Sequence, residues 1–226
     1  MTRTEILDTF RAEYPEMTDR VIADTLLNKW AIVGDKYICA RTRCIVSDFT
    51  FTSVVSTSVY NTKYDLTSKE PKFYDIDTYP GGGVIYDDEP LDESSIAKLD
   101  AENSGWRTSD ASTPEAWYRR GKFLYFDCPV VAAKTVRVYA VLVSDDFDGA
   151  DITPYNQLEY LEPFHYGIVK YLGWKAKSKE GKPADAQAAQ VELGDYITVM
   201  KNELAKNKYA PIYFRGPNQG LNNYGI

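Results

Sequence analysis

The apolar residues of this chain change period twice, so its fold has to accommodate a helical stripe, then strands, then a helical stripe again. At the N-terminus Thr2 and Glu5 have capping-box spacing, and Ile6, Leu7 and Phe10 follow on one face until Tyr14-Pro15 stops the segment. Thr18 is the expected cap of a second helix, with Ile22, Leu26, Trp30, Val33 and Tyr37 as its buried stripe and Gly34 as a weak point within it. From about Thr50 to Tyr60 the residues are β-branched and aromatic. Lys72 to Tyr79 and Val84 to Tyr86 read as short strands around the turn Pro80-Gly81-Gly82-Gly83. Ala116 to Arg119 and Lys122 to Phe126 flank Arg120-Gly121, a hairpin signal, and Val136 to Val143 reads as the strongest strand, buried on both faces. Past Pro154 the helical period returns with Phe164, Ile168 and Leu172. After Lys182-Pro183 comes Ala186, Ala189, Leu193, Ile197, Met200 and Leu204, a repeat suited to an antiparallel helical hairpin. From Lys208 onward Pro, Gly and Asn dominate.

Segregated elements of this kind predict an α+β protein. A helical bundle drawn from both chain ends (residues 1–48 and 151–207) carries an inserted antiparallel β-sandwich-like subdomain (residues 49–150) and an extended C-terminal arm (residues 208–226).

Composition narrows the function. The 226 residues carry a net charge of −7, and the longest unbroken apolar run is Val138 to Val143, far short of the roughly 20 residues that a membrane helix needs. The opening Met-Thr-Arg-Thr-Glu-Ile has no apolar core resembling a signal peptide, and three cysteines make no disulfide framework, which points to a reducing compartment. Tyrosine accounts for 18 residues, a number that fits either a pleated, half-wet sheet or extensive subunit contact. Between Tyr60 and Gly105 there are 11 acidic and 4 basic residues, whereas from Phe164 onward 9 basic face 5 acidic. Such asymmetry favours ordered contacts between copies, or else marks two solvated surfaces.

The usual catalytic templates fail. His165 is the single histidine, with no Gly-x-Ser-x-Gly elbow in the chain, and it is expected to be partly exposed or at an interface. Cys39, Cys44 and Cys128 with one histidine match no zinc spacing. Gly81-Gly82-Gly83 lacks the Lys-Ser/Thr of a phosphate loop and reads as a turn. Ser144 to Gly149 is similar to a calcium loop, but Ser144 and Tyr155 stand where Asp and a bidentate Glu are required. Asp87-Asp88-Glu89 reads as an exposed acidic turn, and Lys175, Lys177 and Lys179 as a helix C-terminus favoured by its dipole. No metal, cofactor or catalytic residue is predicted.

Several segments, in their order, carry a family resemblance: Leu26-Leu27-Asn28-Lys29-Trp30, Tyr60 to Leu66, Leu99-Asp100, Trp106, Pro114 to Tyr118, Phe123 to Pro129, Thr135 to Tyr139, and Leu161 to Tyr171 followed by Ala184 to Leu204. Together they resemble the head-to-tail adaptor (connector, or tail-tube ring) proteins of tailed bacteriophages, those of short-tailed phages above all, with ring proteins of crAss-like phages as a closer candidate. Two positions depart from the pattern: no proline follows Leu66, and Cys128 replaces a second proline. The resemblance implies a non-enzymatic virion protein, assembled in the host cytoplasm. It would form a dodecameric ring under the portal protein, joined below to the next tail (nozzle or tube) protein, with double-stranded DNA passing through the channel. Acidic lumen walls would repel the phosphates of that DNA. On this reading Ile212, Tyr213, Phe214 and Arg215 of the arm bind a partner. The alternatives are another phage structural protein, such as a tail-completion or minor capsid component, and an enzyme with a carboxylate or metal site at Asp145, Asp146 and Asp148.

Overall fold

The computed structural model describes residues 1–78, 82–143 and 164–209. Helices stand at both ends of this chain and a β-region is inserted between them, an α+β arrangement. Helix α1 (Arg3–Glu13) begins at the expected capping box: the Glu5 amide donates to Thr2 Oγ1 at 3.2 Å, and the Thr2 amide donates to Glu5 Oε2 at 2.7 Å. Ile6 and Phe10 are fully buried beneath it.

Helix α2 (Asp24–Thr42) differs from expectation in start and in phase. Thr18 caps only a single turn, accepting from the Val21 and Ile22 amides, and the helix proper begins after Ala23. The buried stripe is Leu27, Ala31, Gly34 and Ile38, one residue round from the expected one; Val33 is 52% exposed and Leu26, Trp30 and Tyr37 are half-buried flanks. Both stripes are apolar, so periodicity alone does not choose between them. The small residues Ala31 and Gly34 decide it, because only that side lets another helix approach closely.

Arg43 ends α2 in the left-handed region at φ 55°, and its amide returns to the Cys39 carbonyl. That reversal starts strand β1 at once (Ile45–Thr52), ahead of the expected Thr50. The remaining elements of the insert are β2 (Tyr64–Asp65), α3 (Leu66–Lys69), β3 (Phe73–Ile76), β4 (Val84–Tyr86), β5 (Glu89–Glu93), α4 (Ile96–Glu102), β6 (Ala116–Arg120), β7 (Phe123–Phe126) and β8 (Thr135–Leu142). Among the described residues they form one sheet in the order β1-β8-β4-β5-β6-β7-β2, with β3 also on β8. Strand β8 pairs with β1 along its whole length, and its other edge is shared by β4 and then β3. The Gly121 turn closes the β6–β7 hairpin at φ 63°, as the Arg120-Gly121 signal predicts.

Among the described residues the named strands pair antiparallel except β5 with β6, where the chain returns through α4 and re-enters in parallel. Strand β5 also curls the sheet: Glu89–Leu91 pair with β4, while Asp92 and Glu93 pair with β6. The two halves consequently face each other across an aromatic interior. Phe51 lies 4.9 Å from Tyr64, Tyr64 5.4 Å from Phe126 and Phe126 5.7 Å from Tyr86, centroid to centroid. Their hydroxyls are satisfied inside the subunit: Tyr64 accepts from the Val54 amide, and Tyr86 donates to the Ala132 carbonyl at 2.6 Å.

Helices α5 (Tyr166–Lys179) and α6 (Pro183–Tyr209) run antiparallel, joined by a Tyr166–Tyr196 ring contact and a Lys170–Glu192 ion pair of 3.4 Å. Leu193, Ile197, Met200 and Leu204 are all buried, as their spacing predicts. One continuous core joins the bundle (Ile6, Phe10, Leu27, Ile168, Met200) to the sheet (Ile45, Phe126, Val138).

Glycines set the bundle's spacing. A Cβ on Gly34 would stand 2.6 Å from Tyr171 Cδ1 and 2.9 Å from Cγ, close to the root of a ring that cannot swing away. Gly→Ala in a helix normally gains about 1 kcal/mol. At Gly34 overpacking, typically about 1–3 kcal/mol, should outweigh that gain. Gly194, exposed on α6 with nothing within 4 Å of its Cβ position, should show the opposite sign. We expect Gly34→Ala to lower, and Gly194→Ala to raise, the urea midpoint of unfolding.

Candidate partner-binding surface

The histidine and the three cysteines are turned inward. His165, just before α5, is 1% exposed, not partly exposed as its sequence setting suggests. The Met1 amine donates to its Nδ1 at 2.8 Å, so the imidazole ties the start of α1 to the start of α5. Cys39, Cys44 and Cys128 are all buried, and burial pushes the Cys128 thiol up to about 12. Among the described residues no group of three or more His, Cys, Asp or Glu side chains is placed to hold a metal ion. Asp87 and Asp88 form the exposed turn of the β4–β5 hairpin, at φ 50° and 70°, with Lys134 paired to Asp87 at 2.7 Å. Asp145, Asp146 and Asp148 lie outside the described residues, as do Ile212, Tyr213, Phe214 and Arg215.

Charged groups inside the subunit mostly fix its shape. On β3, Asp75 accepts from Arg119 of β6 and pairs with Arg43 at 3.2 Å, while Arg43 also donates to the Ile76 carbonyl at 2.8 Å. These contacts clamp the short strand to β6 and to the end of α2. Lys177 pairs with Glu16 at 2.5 Å, Lys179 reaches the Val21 carbonyl and Lys175 stacks over Trp174 at 4.2 Å. The lysines at the end of α5 are thus occupied within the subunit. Asp100 accepts from Trp106 Nε1 at 2.8 Å and from Arg107, whose hydrogen bonds hold its carboxyl below the usual carboxylate range.

Two outward-facing features stand out beside scattered exposed apolar residues such as Val33, Tyr60, Val191 and Val199. The acidic stretch Asp87, Asp88, Glu89, Asp92 and Glu93 runs exposed along the β4–β5 hairpin. At the end of β1 the chain forms an apolar tip, where Val54 and Val55 are 62% and 57% exposed. The Ser56 amide donates to the Val130 carbonyl at 2.9 Å, which brings the exposed Val131 beside them. Sequence reasoning missed this tip because Val54-Val55 sits in a β-branched run and reads as strand interior. The following Ser56, Thr57 and Ser58 are the turn-forming signal that marks it.

Asp65 caps α3, accepting from the Thr67 and Ser68 amides and pairing with Lys122 at 2.7 Å. The Lys122 hydrogen bond is the main reason that its carboxyl falls from about 3.8 to about 2. A lowered native value means that its contribution is present above the unfolded value and lost as pH falls through the native one. The stability difference between the protein and Asp65→Asn should therefore be full at pH 5 and shrink between pH 4 and about 2, as measured by melting temperature across that range.

The model of the family described as SU10 adaptor protein matches residues 1–215 of the chain. No curated protein matches it.

Proposed function

From the premise that the chain belongs to the SU10 adaptor protein family, a family of structural phage adaptors and not of enzymes, we propose that it is the head-to-tail adaptor of a tailed phage. It forms a ring below the portal, a dodecamer in keeping with the portal's symmetry, and joins capsid to tail in the virion. The observation that carries this reading is the extent of the match, which runs through the bundle, the sheet, the closing helical pair and into the arm as far as Arg215. The bundle (residues 1–48 and 151–207) meets the portal, and the inserted β-subdomain (residues 49–150) meets the nozzle or tube protein.

The surfaces support this division. The exposed Val54-Val55-Val131 tip lies where β1 ends and β8 begins, away from the α2–β1 junction, and offers apolar area to a second protein. The acidic hairpin suits a channel wall, because carboxylates repel the phosphates of passing double-stranded DNA and leave it free to move. In the arm, Ile212, Tyr213, Phe214 and Arg215 contact a neighbouring subunit or the portal.

Phage carrying a nonsense codon at Trp30, grown in a non-suppressing host, tests the reading. We expect capsids that package DNA but carry no tail and leak their genome, with tails restored by the gene supplied in trans. Tailed, infectious particles lacking the chain would overturn it.

A further inference from the structure

Most strand edges in this sheet are protected. Strand β2, at one end of the sheet, has only two residues. Strand β3 has four, with a register shift between Phe73 and Asp75, and Arg119 donates to its Tyr74 carbonyl at 3.2 Å. Strand β1, at the other end, has none of these devices. It is eight residues long, its register with β8 runs unbroken from Ile45 to Thr52, and Ser47, Asp48, Thr50 and Thr52 are exposed. Every second residue of such a strand turns its N–H and C=O away from β8. Among the described residues no backbone group takes them up. The edge then runs directly into the exposed Val54 and Val55.

We infer that the free edge of β1 receives Pro211–Arg215 of a second copy of this chain as an added antiparallel or parallel strand, so that the arm, through β1, joins neighbouring subunits. The inference rests on the adaptor reading only in supplying the copies, and it names the surface on which the arm docks. Pro211 lacks an N–H and suits the first position of an edge strand. Ile212, Tyr213 and Phe214 have strong β preference, and Gly216-Pro217 ends the segment. The alternation matches. Ile212 and Phe214 share one face and fall beside Phe49 and Phe51, on the half-buried to buried inner side of β1. Tyr213 and Arg215 share the other and fall beside the exposed Asp48 and Thr50. Charge agrees too: Asp48, the one charged residue of β1, already lies 3.6 Å from Arg137 of β8 in an exposed pair, which Arg215, the one charged residue between Ala210 and Ile226, can join.

A second copy is favoured by the way α6 ends. Leu204 is still buried in the shared core, and α6 continues for five residues beyond it to Tyr209, about 7.5 Å at 1.5 Å per residue. Ala205 and Lys206 are exposed on that last stretch. The segment that follows therefore starts beyond the packed part of its own bundle. Pairing of this type gives affinity through the backbone and specificity through alternate side chains.

The test uses the full chain with benzoylphenylalanine in place of Thr50, prepared as an equal mixture of ¹⁴N- and ¹⁵N-labelled protein and irradiated at concentrations that span its self-association. After trypsin, the expected cross-link joins the β1 peptide to Tyr209–Arg215, and about half of the linked species carry one label of each kind, as random pairing of copies requires. Phe214→Asp should cut the yield at least about tenfold. Asp48→Lys should cut it roughly fivefold, with recovery when Arg215→Asp is added. Cross-links to other peptides only, no cross-link, or pairs of like label only would overturn the inference. None of these results would touch the adaptor reading, which the tail phenotype decides separately.

Discussion

Strand β8 is hydrogen-bonded along both edges, and the rest of the fold is arranged around that fact. Its partners are β1 on one side and β4 with β3 on the other, so three separate stretches of the chain are aligned against one eight-residue strand. Val136, Val138, Ala140, Val141 and Leu142 are buried on it. Because β1 follows α2 through a single left-handed residue, fixing β1 on β8 also fixes where the bundle starts. The sheet and the bundle then share one core, and the close approach of α5 to α2 at Gly34 sets how tightly that core closes.

The parts of this architecture that depend on neighbours in sequence were legible from the sequence. The Thr2–Glu5 box, the Gly121 hairpin, the buried run of β8 and the Leu193–Leu204 repeat all express local geometry. The parts decided by distant neighbours were not. The phase of α2 turns on Gly34 admitting Tyr171, which lies more than a hundred residues away in the chain. His165 is buried and meets Met1, which is distant from it in the chain. The parallel entry of β6 follows from the path through α4, which no strand pattern records. Part of the tyrosine is packing: Tyr64, Tyr86 and Tyr118 are buried in the insert and Tyr171 in the bundle, whereas Tyr60 and Tyr74 are exposed.

The functional surface was legible mainly as an absence of chemistry. One histidine and scattered cysteines left little to build a site from, and the structure turns those that it describes inward. Recognition of the family came from the order of segments along the chain, and the match over residues 1–215 rests on the same breadth. The open strand edge and the exposed tip were harder to see. An edge strand is defined by the partner it lacks, and Val54 looks like any strand residue until its exposure is known. A joining protein needs such features: a rigid body whose core closes on itself, with backbone and apolar side chains left open where other chains attach.

The claim on which this account stands is that the molecule is a ring between portal and tail. Electron cryomicroscopy of the intact virion, with the portal vertex reconstructed without imposed icosahedral symmetry, tests it most directly. The account predicts a rotationally symmetric ring immediately below the portal into which this fold fits as one body, bundle toward the capsid and β-subdomain toward the tail, with the DNA path through its centre. A portal that meets the tail tube with no such ring, or the chain found instead on the capsid shell, would contradict it.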